Sequence, residues 1–157
     1  MFSTGPSSVL TQLMDRVAAT FPPEGGTFHL AGVSNGGLST SRIALDAPTR
    51  FSSVLVAPGF PPKASDQAKL SGLARIPATF YVGGDDTGWR EPSEQTAAEL
   101  RHLGGRARVT VSPGEGHILQ NITGRQLFDV LDETGADPAA GGPVPNEPSS
   151  RRALTHR

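Results

Sequence analysis

Residues 32–37, with the sequence Gly-Val-Ser-Asn-Gly-Gly, constrain the fold more than any other part of the chain. They follow an apolar run at 28–31 and precede a run at 38–45 that favours a helix. A serine on such a tight turn from strand to helix takes a strained backbone, and its neighbours two positions away must be small. The pattern therefore predicts a turn that exposes the Ser34 hydroxyl. It also directs the Asn35 amide, at the helix N-terminus, toward any oxyanion that forms there.

Length and composition narrow the classes of function that the chain can have. Its 157 residues suffice for one domain with a single core. A net charge of -1 gives no electrostatic reason to expect nucleic acid or an anionic membrane as partner. The absence of cysteine excludes a disulfide framework, a thiolate nucleophile and a cysteine-ligated metal. No His, Asp or Glu cluster has convincing metal-ligand spacing, so we expect neither a metal nor a cofactor.

The start of the chain has no basic segment followed by an apolar core, and no later run approaches the roughly 20 apolar residues that span a bilayer. We therefore expect a cytoplasmic protein, unless a signal has been lost with sequence upstream of Met1.

Strand and helix patterns alternate along the chain. We predict four apolar strands, at 28–33, 51–57, 78–82 and 106–112. The first is nearly continuous in apolar residues, as expected of a strand buried on both faces of a parallel sheet. We predict helices at 9–18, 36–46, 91–103 and 119–131, with an irregular cap or loop at 60–73. This alternation predicts an α/β fold whose mostly parallel sheet has helices on both faces. The domain should end at residue 134, and residues 135–157, rich in Pro, Gly and Ala, should form a disordered tail.

Three chemically suited residues follow three of the predicted strands. Ser34 leaves the first strand, Asp85 and Asp86 leave the third, and His117 follows the fourth. Because the carboxyl ends of parallel strands meet at one edge of a sheet, these residues should lie together. An imidazole can accept the proton of a serine hydroxyl near neutral pH, and a carboxylate fixes the tautomer of that imidazole. The sequence therefore predicts acyl transfer through an acyl-enzyme on Ser34.

The serine of the G-x-S-x-G turn, the later aspartate and the glycine-flanked His117 occur in the order that α/β-hydrolases use. The chain resembles that family over about residues 7–134. The resemblance implies a serine hydrolase that cleaves a small carboxylic ester, and it favours Asp86 over Asp85 as the acid. Residues 32–37 are similar to turns in polyhydroxybutyrate-depolymerase-like proteins, feruloyl-esterase-like proteins and small carboxylesterases. A thioesterase or a peptidase would use the same serine, histidine and aspartate. Trp89 either walls the substrate pocket or covers the edge of the sheet.

The resemblance is to only part of that fold. A complete α/β-hydrolase has several strands before the serine, and a loop after an early strand gives the second oxyanion donor. Only about 27 residues precede the first predicted strand, so the chain looks like the C-terminal half of the fold, without the N-terminal strands. One edge of that strand should lie open, which implies cover by an upstream portion, a homodimer partner or another chain. The alternative function is a non-catalytic fragment that acts as a dimerisation or binding module.

Other polar residues are expected to have structural roles. His29 lies within a predicted strand and should pack against a helix. His102 lies near a helix C-terminus, where a histidine interacts favourably with the helix dipole. Glu115 is expected to be solvated.

Overall fold

In a computed structural model, which describes residues 6–136, four strands form one sheet. The strands are β1 (Phe28–Gly32), β2 (Phe51–Val56), β3 (Ala78–Gly83) and β4 (Ala107–Ser112). All neighbouring pairs are parallel, and the order across the sheet is the order along the chain. The predicted α/β fold with a parallel sheet is therefore confirmed.

Within residues 6–136, six helices connect and cover these strands. They are α1 (Pro6–Thr20), α2 (Asn35–Asp46), α3 (Ala64–Gln67), α4 (Leu70–Leu73), α5 (Thr87–His102) and α6 (Gly124–Ala136), with short 3-10 turns at Glu24–Gly26 and Pro48–Arg50. The two short helices α3 and α4 occupy the segment that was predicted to be irregular. Among the described residues, no helix has the length and apolar character needed to cross a bilayer.

The last helix begins later than its apolar pattern predicts. The Gln126 amide donates to the Thr123 hydroxyl at 3.3 Å, and the Thr123 amide donates to the Gln126 side-chain oxygen at 2.8 Å. This reciprocal pair is a capping box, which sets the start of α6 at Gly124 rather than at 119. The helix runs to Ala136, two residues past the predicted domain boundary, and residues 137–157 of the predicted tail lie outside the described residues.

The larger core lies on one face of the sheet. Side chains from β1 to β4 on this face pack with α2, α4 and α5; buried examples are Val54, Phe80 and Leu100. On the opposite face Leu55 and Thr79 are also buried, and α6 contacts β2. The prediction of helices on both faces is therefore confirmed.

The prediction for β1 was wrong in one respect. We expected this strand to be buried on both faces, but its residues alternate between half-buried and exposed, because it lies at the edge of the sheet and pairs only with β2 among the described residues. His29 is exposed, and its Nδ1 lies 2.6 Å from the Ser53 hydroxyl oxygen instead of packing against a helix. His102 is the last residue of α5, as predicted.

Candidate active site

Ser34 lies between β1 and α2 with a backbone conformation that non-glycine residues rarely adopt. Its φ is +55° and its ψ is -123°, the one positive φ outside glycine in the part of the chain that the structure describes. The Ser34 amide donates to the Pro58 carbonyl at 3.1 Å, and the Leu38 amide donates back to the Ser34 carbonyl at 3.1 Å. These bonds hold the strained residue from both sides, so that its hydroxyl projects beyond the end of the sheet.

Close backbone approach explains two of the glycines around Ser34, and one of them is not the expected one. A Cβ at Gly32 would overlap Thr40 and the Gly36 carbonyl, and a Cβ at Gly37 would overlap the Pro58 carbonyl. At Gly36 a Cβ would meet nothing within 4 Å. The sequence prediction that small residues are needed two positions on either side of Ser34 is therefore right for Gly32 and wrong for Gly36.

His117 and Asp86 complete a row of hydrogen bonds with Ser34. The Ser34 Oγ lies 2.7 Å from His117 Nε2, and His117 Nδ1 lies 2.7 Å from Asp86 Oδ2. An ionised carboxylate can only accept, so Nδ1 carries the proton and Nε2 is left to accept from the serine hydroxyl. The Asp86 side chain is 13% exposed and that of His117 is 37% exposed, so the row runs from the interior to a surface that small molecules can reach.

Asp85 does not contact the imidazole in this row. Its side chain is exposed, and its amide donates to the Glu115 carbonyl at 2.9 Å. Of the two adjacent aspartates, Asp86 is therefore the one that the structure brings to His117.

The Asn35 amide is available at the N-terminus of α2. As the first residue of the helix it has no intrahelical acceptor, and no other acceptor is found for it among the described residues. The Ser34 amide is engaged by Pro58, so it cannot serve in the same way. An oxyanion next to the Ser34 hydroxyl would thus meet the Asn35 N–H at the positive end of a helix dipole.

One aromatic side chain, Trp89, lies against His117, and a second, Phe60, packs on Trp89. The Trp89 ring lies 4.8 Å from the His117 ring between centroids, and the Phe60 ring lies 5.4 Å from that of Trp89 in an edge-on arrangement. We call Phe60 and Trp89 the aromatic wall. Phe60 also lines a groove of about 560 Å³ that includes Leu70 and the α5 residues Pro92 and Thr96. The structure places Trp89 beside His117, and Phe60, directly after the strand-ending Pro58-Gly59, is a residue that the sequence analysis did not single out.

Glu115 was expected to be solvated, and this expectation was wrong. The residue is only 8% exposed, and its Oε1 accepts the amides of Gln120 at 2.7 Å and Asn121 at 2.8 Å. The nearby Ser112 hydroxyl, followed by these amides, holds the pKa of Glu115 below its usual value against the opposing effect of burial. No sequence signal marks this burial, because the donors to Glu115 are backbone amides of the loop that follows.

Comparison with known proteins gives matches at the level of structure alone. No protein-family model matches the chain, and no curated protein matches it. An uncharacterised protein from Bacillus cereus ATCC 10987 matches 82% of this chain with a TM-score of 0.71 and 16% identity, over 42% of its own chain. A thermostable esterase matches 69% of this chain, over 28% of its own, with a TM-score of 0.59 and 20% identity. A predicted CIB-like hydrolase from Thermoplasma acidophilum matches 83%, over 60% of its own chain, with a TM-score of 0.57 and 15% identity.

These matches identify the class of fold. The chain has an α/β-hydrolase-like fold, and its four parallel strands correspond to part of that fold. It spans less than two thirds of the length of each of these solved structures.

Proposed function

We propose that this chain is a serine hydrolase that cleaves carboxylic esters through an acyl-enzyme on Ser34. The observation that carries the proposal is the row of two 2.7 Å contacts from Ser34 Oγ to His117 Nε2 and from His117 Nδ1 to Asp86. The strained φ of +55° at Ser34 adds support, since such strain persists only where the surrounding structure enforces it.

In the first half of the reaction, the Ser34 Oγ attacks the carbonyl carbon of the ester while its proton passes to His117 Nε2. The negative charge that develops on the carbonyl oxygen is stabilised by the Asn35 amide. The bond from the carbonyl carbon to the alcohol oxygen then breaks, and Nε2 returns the proton to the departing alcohol. Asp86 stabilises the imidazolium that exists between these two transfers.

In the second half, water replaces the alcohol. His117 Nε2 takes one proton from the water as its oxygen attacks the acyl carbon. The bond to Ser34 Oγ breaks and the serine recovers the proton from Nε2, so that the carboxylic acid leaves and the resting row of hydrogen bonds is restored. No external redox partner or cofactor takes part in this sequence.

The aromatic wall favours esters with an apolar group next to the carbonyl. Trp89 lies against the imidazole that handles the proton, and that imidazole contacts the Ser34 hydroxyl, so the Trp89 ring borders the reacting groups through His117. Phe60 continues this surface toward the 560 Å³ groove beside α5. Since burying an aromatic or aliphatic group against Trp89 and Phe60 removes apolar surface from water, we expect such esters to react faster than acetyl esters of the same alcohol.

A fluorophosphonate probe tests the proposal directly. We expect it to label the purified chain, with the adduct located on the peptide that contains Ser34 by mass spectrometry. The matched variants are Ser34→Ala and Ser39→Ala, because Ser39 lies on the exposed side of α2 with its hydroxyl bonded to the Asn35 carbonyl at 3.0 Å. Labelling should be lost in the first variant and kept in the second. A folded wild-type chain that takes up no probe would contradict the proposal.

A second candidate function, a self-association module, is favoured by a different observation. Val9, Leu13 and Val17 are 65%, 55% and 39% exposed at intervals of four residues along α1, and Phe21 follows at 73%. We call these four residues the α1 stripe. Residues four apart share one helix face, so the stripe is continuous, and contiguous apolar surface of this kind is typical of interaction sites. This function requires association without probe labelling, whereas the hydrolase requires labelling.

A further inference from the structure

We propose that Glu115 is a positioning residue, which holds the segment that carries His117 so that its imidazole stays in line between Ser34 and Asp86. The proposal rests on the hydrolase function proposed above, because alignment of the imidazole matters only if it transfers the serine proton. Glu115 itself lies outside the row of hydrogen bonds and would act only through His117.

The side chain of Glu115 fixes the part of the chain that follows His117. His117 lies between Glu115 and the two residues, Gln120 and Asn121, whose amides donate to the same carboxylate oxygen at 2.7 and 2.8 Å. One oxygen thus joins the start and the end of a seven-residue loop with the histidine inside it. Hydrogen bonds to a charged acceptor are roughly twice as strong as neutral ones, which suits a loop without regular secondary structure.

The backbone of Glu115 fixes the part of the chain that precedes His117. Its carbonyl accepts the Asp85 amide at 2.9 Å, and the Gly84 amide donates to the Ser112 carbonyl at 2.8 Å. A Cβ at Gly83 would overlap the carbonyls of Glu115 and Gly116, so the turn after β4 packs directly on the end of β3. The segment that holds the acid Asp86 and the segment that holds His117 are therefore joined at Glu115.

Because the side chain is buried, position 115 requires a residue with an acceptor oxygen. The carboxylate is 8% exposed, so removing it would leave two amides without their acceptor and open a space beneath the loop. A glutamine has almost the same shape and keeps one side-chain oxygen as acceptor. Glu115→Gln should therefore preserve the position of His117, whereas Glu115→Ala should release it.

The first test measures the rate at which a fluorophosphonate labels Ser34. We expect Glu115→Ala to slow labelling roughly 10- to 100-fold, because small misplacements of reacting groups have effects of this size. Glu115→Gln should recover most of the wild-type rate, because it keeps one acceptor oxygen for the two amides. Asp66→Ala is the matched control, since Asp66 is another buried carboxylate that accepts a backbone amide, from Lys63 at 3.2 Å, and it caps the short helix α3. This control should label at the wild-type rate.

The second test reads the imidazole directly and does not depend on activity. A proton held between His117 Nδ1 and Asp86 gives a downfield proton resonance, assigned by its loss in His117→Ala. We expect this signal in wild type and Glu115→Gln, and its loss by exchange with solvent in folded Glu115→Ala. If wild type shows the signal but takes up no probe, the hydrolase proposal fails while the positioning of His117 is still measured. If Glu115→Ala keeps the wild-type signal, or if Glu115→Gln loses it as fully as the alanine variant, Glu115 does not position His117.

Discussion

The glycines that flank Ser34 differ in what a side chain would meet at each position. Gly37 approaches the Pro58 carbonyl and the Gly59 backbone so closely that a Cβ would overlap them. Gly36, in the same first turn of α2, faces open space. The contact between the N-terminus of α2 and the segment after β2 thus requires a glycine at position 37 but not at position 36. The two adjacent glycines look equivalent in the sequence.

Gly37→Ala should destabilise the chain, because the added methyl group must displace backbone atoms that have no flexible side chain to yield. We expect a loss of about 1–3 kcal/mol in the free energy of unfolding, as for other overpacked sites. Gly36→Ala is the control, and it should be neutral or stabilising by up to about 1 kcal/mol, since alanine favours a helix over glycine. Urea denaturation of both variants measures the difference. Equal stability of the two variants would contradict the close approach at Gly37.

Asp86→Asn should impair the chemistry while leaving the geometry nearly intact. An amide at this position can donate to Nδ1, which favours the tautomer whose Nε2 carries a proton and cannot accept one from Ser34. In a well-studied serine protease the equivalent change lowers turnover by about 10⁴, and we expect a loss of similar order in ester hydrolysis here. Asp85→Asn is the matched control, because its side chain is exposed while only its amide binds Glu115. A larger loss in Asp85→Asn than in Asp86→Asn would reverse the assignment.

At the scale of the elements, the sequence predicted the order and type of the main strands and helices. Local patterns decide these features: the apolar run of β2, for example, is buried as expected. Among the described residues β1 lies at an edge of the sheet, in agreement with the open edge expected for it. The exposure of alternate side chains along β1 was not predicted, because its apolar sequence suits a strand covered on both faces equally well. The start of α6 was missed because its apolar periodicity extends past the Thr123 capping box into the preceding loop.

The candidate site shows the same limit. Ser34, Asp86 and His117 could be predicted to approach one another because each lies in the segment after a strand of one parallel sheet. The role of Glu115 could not be predicted, since its partners are the backbone amides of residues 120 and 121. The sequence does not indicate where a backbone amide points. Phe60 was missed for a related reason: its contact with Trp89 joins the segment after β2 to the first turn of α5.

The loop that Glu115 closes should weaken in acid. The pKa of Glu115 in the folded chain lies below its ordinary value of 4.5, with the Ser112 hydroxyl as the largest cause. Its ionised carboxylate therefore stabilises the folded state fully above about pH 4.5, and this stabilisation is lost as the pH falls through the lowered pKa. We expect wild type to be more stable than Glu115→Gln at neutral pH, and the difference in free energy of unfolding to shrink as the pH falls below about 4.5. A difference that stays constant across this range would contradict an ionised Glu115.

At the scale of the whole molecule, two surfaces of the described chain lack cover. β1 pairs with β2 on one side and presents unpaired backbone groups on the other, and the α1 stripe exposes apolar side chains on a helix. Both features favour association, since strand edges pair readily and apolar patches leave water when they are covered. A second copy is an occupant that suits either surface, because in a two-fold dimer the same patch of each copy meets the other.

Self-association should therefore depend on concentration and on the α1 stripe. Its members recur every fourth residue, a spacing that forms a ridge able to pack against the same ridge of another helix. Sedimentation velocity should show a dimer that dissociates on dilution, and Leu13→Lys should weaken it by placing a charge in the middle of the covered surface. Phe128→Lys is the control, since Phe128 is a 69% exposed aromatic residue on α6, outside the stripe. A monomer at all concentrations, or equal weakening by both variants, would show that the stripe does not mediate dimerisation.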